Sequence, residues 1–108
     1  MAILHWKLQR ISAIILIPSI VYIVLYFLNI TDFSYSQIVS DVTSFWGTVF
    51  IVFVSVILFL HSSLGIETIM EDYIHDNVLQ SFFISLSKVI HVILFAITLV
   101  SLIIIRGN

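Results

Sequence analysis

Three long runs of this chain are almost free of charge. Between residues 11 and 66 only Asp32 and Asp41 are charged; Lys7 and Arg10 come before, and Glu67, Glu71, Asp72 and Asp76 gather in one segment after. An apolar helix crosses a hydrocarbon layer of about 30 Å with about 20 residues, each adding about 1.5 Å. Three segments are long enough: about Leu8 to Ile30, about Trp46 to Met70 and about Phe82 to Ile105. A water-soluble domain carries roughly a quarter of its residues charged. This chain of 108 has 9% charged and 61% apolar residues, so the soluble globular classes are excluded. The expected fold is an all-α membrane protein, with three transmembrane helices (about 8–30, 46–70 and 82–105) in an up-down bundle that forms a single domain over 1–108.

Pro18 lies inside the first span, where neighbouring helices can satisfy the carbonyl it frees, so a mild kink is expected. Residues 11–28 are too long and too bulky for the core of a cleaved signal, which makes them a mature span. The lack of an Arg-rich amphipathic leader favours a multi-pass protein of the bacterial inner (cytoplasmic) membrane, ahead of an organelle-encoded one. Lys7 and Arg10 flank the first span, the 31–45 loop carries no cation, Lys88 stands near the start of the third span and Arg106 at its end. That distribution puts the N-terminus and the 71–81 loop inside and the C-terminus outside. Trp6 and Trp46 fall where amphipathic rings favour the membrane interface. A net charge of -2 without a basic patch excludes nucleic acid as a partner. Without cysteine, disulfides, thiolate metal sites, Cys-ligated iron–sulfur clusters and covalently attached haem are excluded, and any haem would be non-covalent.

His61 sits inside the second span, and an imidazole at that depth is costly unless it faces protein, water or a metal. On a helix, Gly65 lies about 40° from it, Thr68 about 20° to one side and Asp72 about 20° to the other. This stripe fits two readings. A neutral imidazole nitrogen beside a glycine gap suits a porphyrin, which needs an iron ligand and room for a flat ring. Alternatively Gly65 is a close helix contact and His61 donates a hydrogen bond to a neighbour.

Tyr73 falls about 18 Å beyond His61 along the helix axis, near the inner interface. Its phenol can donate to a ligand carbonyl while Asp72 or His75 relays protons, or it is an interfacial anchor beside solvated acids. His91 and His61 are equally far along the chain from Asp76, so antiparallel helices bring them to similar depth. They could hold a haem within one chain, or His91 could serve packing.

The stretch His61-Ser62-Ser63-Leu64-Gly65-Ile66-Glu67-Thr68-Ile69-Met70-Glu71-Asp72-Tyr73-Ile74-His75 resembles the H-x3-G-x6-D-Y-[VI]-H signature of the succinate dehydrogenase (complex II) hydrophobic membrane anchor. The opening His5-Trp6-Lys7-Leu8-Gln9-Arg10-Ile11-Ser12-Ala13 is similar to that family's H-W-x2-Q-R-x-[ST]-A. The resemblance implies that His61 is one axial ligand of a b-type haem, with the other supplied by a partner, the companion cytochrome b subunit. It implies that Tyr73 hydrogen-bonds a ubiquinone carbonyl with Asp72 in the proton route, and that Arg10, joined by His5, approaches the haem propionates. The flavoprotein and iron–sulfur subunits would dock on the inner face. A chain of this kind anchors and binds in the membrane, passes electrons to quinone, and catalyses nothing alone. The competing class is a structural or pore-type three-span protein without redox function.

Overall fold

The structure, a computed structural model, describes residues 2–107. Helix α1 spans Ala2–Leu28, a 3-10 turn spans Ile30–Asp32, and α2, α3 and α4 span Tyr35–Thr43, Phe45–Tyr73 and Asn77–Gly107. The helices α1, α3 and α4 are each long and apolar enough to cross a membrane. They overrun the apolar segments read from the sequence, with α1 beginning at Ala2 and α4 at Asn77. Hydropathy marks only the stretch that sits in hydrocarbon, whereas backbone hydrogen bonding carries a helix on into the interface. Helix α1 continues through Pro18 without interruption.

The connection between α1 and α3 holds a helix of its own. Ser34 opens α2 with a capping box: its hydroxyl accepts from the Gln37 N–H at 3.2 Å, and the Gln37 side-chain oxygen accepts from the Ser34 N–H at 3.1 Å. Ser44 then closes α2 and starts α3. Its N–H donates to the Ser40 carbonyl at 3.0 Å, and its hydroxyl oxygen accepts from the Gly47 N–H at 3.0 Å. Gly47 is required at this corner because a Cβ there would run into the Asp41 carbonyl oxygen. The Tyr26 hydroxyl donates to Asp41 at 2.9 Å and ties the corner to the end of α1.

At the opposite end, a short turn joins α3 to α4. The Gln80 side chain donates to the Ile74 carbonyl at 2.8 Å and to the Glu71 carbonyl at 3.4 Å, supplying partners at the end of α3. Asp76 accepts from the Leu79 N–H at 3.0 Å and caps α4. These bonds hold the turn that follows Asp72 and Tyr73.

Helix α3 is the centre of the arrangement. Both α1 and α4 pack on it, and among the described residues no Cα of α1 lies within 8 Å of a Cα of α4. The chain buries little by itself: Leu16, Val54, Leu102 and Ser12 are the buried residues among those described. Its accessible surface is 7888 Å², against about 6,100 Å² for a compact soluble protein of the same mass. Lipid tails are as apolar as leucine, so no hydrophobic force presses these helices together. Packing and interhelical hydrogen bonds must hold them, and the remaining apolar faces are left for lipid or other helices.

Candidate functional site

Most of those interhelical bonds lie at the α1–α3 seam. His5, Gln9 and Ser12 recur at helical spacing and form a polar stripe on α1, and α3 runs past them in the opposite direction. His5 donates through Nε2 to the Leu64 carbonyl at 3.3 Å and comes within 3.4 Å of the Thr68 hydroxyl. Gln9 donates to the Thr68 hydroxyl oxygen at 3.2 Å, and that hydroxyl donates in turn to the Leu64 carbonyl at 3.0 Å. One turn deeper, Ser12 lies 2.9 Å from His61 Nδ1. Interhelical hydrogen bonds in membranes contribute about 0.6 kcal/mol each, up to about 1.7 kcal/mol. Several together are enough to set how α1 and α3 are rotated against each other.

The Ser12–His61 bond takes its polarity from the Gln9 carbonyl, which also lies within reach of the Ser12 hydroxyl. Ser12, 2% exposed, has one proton and donates it to the Gln9 carbonyl at 3.0 Å. Its oxygen is then left to accept, so His61 Nδ1 is the donor, a tautomer assigned from the hydrogen-bond network. A neutral imidazole protonated at Nδ1 keeps its lone pair at Nε2. That nitrogen makes no hydrogen bond among the described residues. Gly65, one turn on, has open space on its side-chain face, and a Cβ at that position would meet nothing within 4 Å. Gly65 is thus not a contact of α1 or α4; Thr68 supplies the contact of that stripe. The ligand reading and the packing reading of His61 use different nitrogens of one ring and are compatible.

Such a site fits one flat, iron-bearing ring held from one side. At His61 the residues present offer one unprotonated imidazole nitrogen, and Gly65 one turn on leaves space on its side-chain face. Among the described residues no group of three or more His, Cys, Asp or Glu side chains converges as a metal site, so an ion held by His61 would take its other ligands from elsewhere.

The remaining candidates lie apart from this seam. Arg10 is exposed on a different face of α1, its guanidinium 5.5 Å from the centre of the Trp6 ring in a cation–π contact. Asp72 and Tyr73 end α3, both exposed, with Tyr73 at 79%. His91 sits at the other seam: its Nδ1 donates to the Ser87 carbonyl at 2.7 Å, and Nε2 accepts from the Ser62 hydroxyl at 2.9 Å. Ser62 follows His61 by one residue and so points about 100° away from it. His61 and His91 therefore face different helices, both nitrogens of His91 are engaged within the chain, and the self-contained pair that depth alone allows does not form. Ser12, Gln9 and Ser62 carry roles that the apolar pattern does not announce. The i, i+4, i+7 spacing of His5, Gln9 and Ser12 is the sequence signal for the first two.

Three membrane helices, a central one with an intramembrane histidine, and a polar seam in place of a buried core define a small multi-pass membrane subunit built to work against other chains. Residues 1–105 match the family described as succinate dehydrogenase/fumarate reductase transmembrane subunit. A relative from Reclinomonas americana, named succinate dehydrogenase membrane anchor subunit, is 34% identical over 91 residues, covering 81% of this chain and 75% of the relative. No solved structure matches the chain. The chain belongs to the succinate dehydrogenase/fumarate reductase transmembrane subunit family. Within that family it is a membrane anchor and not the catalytic subunit.

Proposed function

We propose that this chain is the small hydrophobic anchor of a succinate:quinone oxidoreductase, that it supplies one axial ligand of a b-type haem, and that it forms part of the ubiquinone site. The observation that carries the reading is the setting of His61: Nδ1 lies 2.9 Å from the Ser12 hydroxyl, the tautomer assigned to that bond leaves Nε2 its lone pair, and Gly65 one turn on has open space on its side-chain face. A hydrogen-bond acceptor on one imidazole nitrogen orients the ring and makes the other nitrogen a better donor to a metal.

The roles of the other residues follow from their chemistry. His61 Nε2 would hold the iron, with the second ligand from the companion cytochrome b subunit. Arg10, joined by His5, would face the propionates, where a guanidinium suits a carboxylate. Bound haem supplies a one-electron relay in the membrane. At the end of α3, the Tyr73 hydroxyl would donate to a quinone carbonyl oxygen. Asp72 would pass protons from water as two electrons and two protons convert quinone to quinol. The chain's own contribution is placement and proton delivery. Electrons would arrive from an iron–sulfur subunit, docked with the flavoprotein on the same side of the membrane as Tyr73. The cation distribution supports that side being inside, in a bacterial inner membrane.

The test is the visible spectrum of the purified, dithionite-reduced complex. A b-type band present in the wild type and lost in His61→Ala, with all subunits retained, is expected. A band that persists in His61→Ala, or an intact complex with no band, would refute the haem assignment and leave a non-redox anchor or a haem-free relative.

A further inference from the structure

The side of α3 facing away from Gly65 is open where it borders α4. A groove of about 500 Å³ runs between α3 and α4. Its α3 wall extends from Val56 to Glu67, about 16 Å along the axis. Val56, Phe59, Val92 and Phe95 line its far end, while Glu67 and Lys88 stand at the end near the α3–α4 turn. The groove is thus apolar along most of its length and charged at one mouth.

The two charges have opposite signs and lie on opposite walls. Among the described residues no ion pair joins them. Glu67 is half-buried and Lys88 is exposed; an acid and an amine beside hydrocarbon are costly without a partner, so the mouth favours a ligand that answers both. His91, also on the wall, cannot do so, since Ser87 and Ser62 already occupy its two nitrogens. A purely anionic headgroup would satisfy Lys88 and be repelled by Glu67; a purely apolar ligand would satisfy neither.

We infer that this groove is a binding site for a zwitterionic aminophospholipid of the phosphatidylethanolamine type. Lys88 takes the phosphate, Glu67 takes the ammonium, and one acyl chain lies along Val56, Phe59, Val92 and Phe95. The long Lys88 stem lets its amine reach toward the headgroup level while its methylenes stay against apolar surface. The site lies on the other side of α3 from the Gly65 gap and does not depend on the haem reading.

The complex, purified in detergent and stripped of lipid, is titrated with phosphatidylethanolamine and, separately, with phosphatidylglycerol, and bound lipid is counted by native mass spectrometry. Wild type is expected to bind phosphatidylethanolamine about tenfold more tightly, the scale of one charge-assisted hydrogen bond. Glu67→Gln should abolish that preference, and Lys88→Gln should weaken both lipids. If a charge variant fails to assemble, Lys88→Arg and Val92→Trp decide the matter: the first should retain binding and the second, by filling the groove, should lose it. Equal affinity of the wild type for the two lipids overturns the proposal, as does binding that survives Val92→Trp. So does a photoreactive side chain at Val92 that cross-links a protein chain in native membranes in place of lipid.

Discussion

Replacing Ser12 by alanine removes one oxygen and tests the polarity of the seam directly. In the native chain that oxygen lies 2.9 Å from His61 Nδ1 while its proton goes to Gln9, and the residue is 2% exposed, so water does not readily replace it. His61 Nδ1–H is then left without its acceptor, a loss of about 1–3 kcal/mol for a buried donor. Interhelical couplings in membranes place the direct effect on helix packing lower, at about 0.6–1.7 kcal/mol. The larger consequence falls on the proposed haem, because removing the group that orients a metal-bound imidazole typically costs about 10–100-fold in metal affinity. Ser12→Ala should therefore retain all subunits yet hold haem about tenfold less tightly. It should also shift the haem potential upward, since a less electron-rich imidazole favours ferric iron less. Ser12→Thr, which keeps the hydroxyl, should restore both. The assay is haem per assembled complex during washing, with a potentiometric titration of the reduced band. Unchanged retention and potential in Ser12→Ala would show that Ser12 does not set the His61 tautomer, and Nε2 would no longer be singled out as the open nitrogen.

Tyr73→Phe removes only an exposed phenolic oxygen, so assembly should be unaffected; quinone reduction should fall at least about tenfold while succinate oxidation by an artificial acceptor is maintained. Equal loss of both activities would point to a structural role for Tyr73 instead. A Cβ at Gly65 meets nothing within 4 Å, so the Gly65→Leu complex should assemble and anchor normally yet contain little haem; full haem content would place the ring elsewhere. Gly47→Ala should behave in the opposite way, because its Cβ meets the Asp41 carbonyl and overpacking typically costs about 1–3 kcal/mol. It should lower the thermal midpoint of the complex without altering the spectrum, and an unchanged midpoint would show that the α2–α3 corner has room to adjust.

Helix α2 is encoded by signals that hydropathy misses. Ser34 and Gln37 form the capping box that starts this helix, and both residues stand at the right spacing in the sequence, yet the 31–45 segment reads as a connection when only apolar runs are counted. Asp76 is similar: as one of a cluster of acids it suggests solvated loop, while in the fold it caps α4 through the Leu79 N–H. Both are local signals, legible without any tertiary knowledge. The fates of His61 and His91 are not legible in the same way. Their depths are symmetric about the turn, and depth alone is compatible with a pair; the structure directs them to α1 and to Ser62 respectively.

The number of spans, their approximate limits and the depth of each unusual residue follow from the order of side chains along the chain, because transfer into hydrocarbon is nearly a sum over residues and needs no knowledge of neighbours. The rotation of each helix about its axis does not. Turning α3 by the angle of a single residue would exchange His61 for Ser62 at the α1 seam with almost no change in depth. Tertiary hydrogen bonds from His5, Gln9 and Ser12 select the rotation, and with it the protonated nitrogen of His61. They also fix the face on which Gly65 opens, while the groove between α3 and α4 opens on the other side of α3.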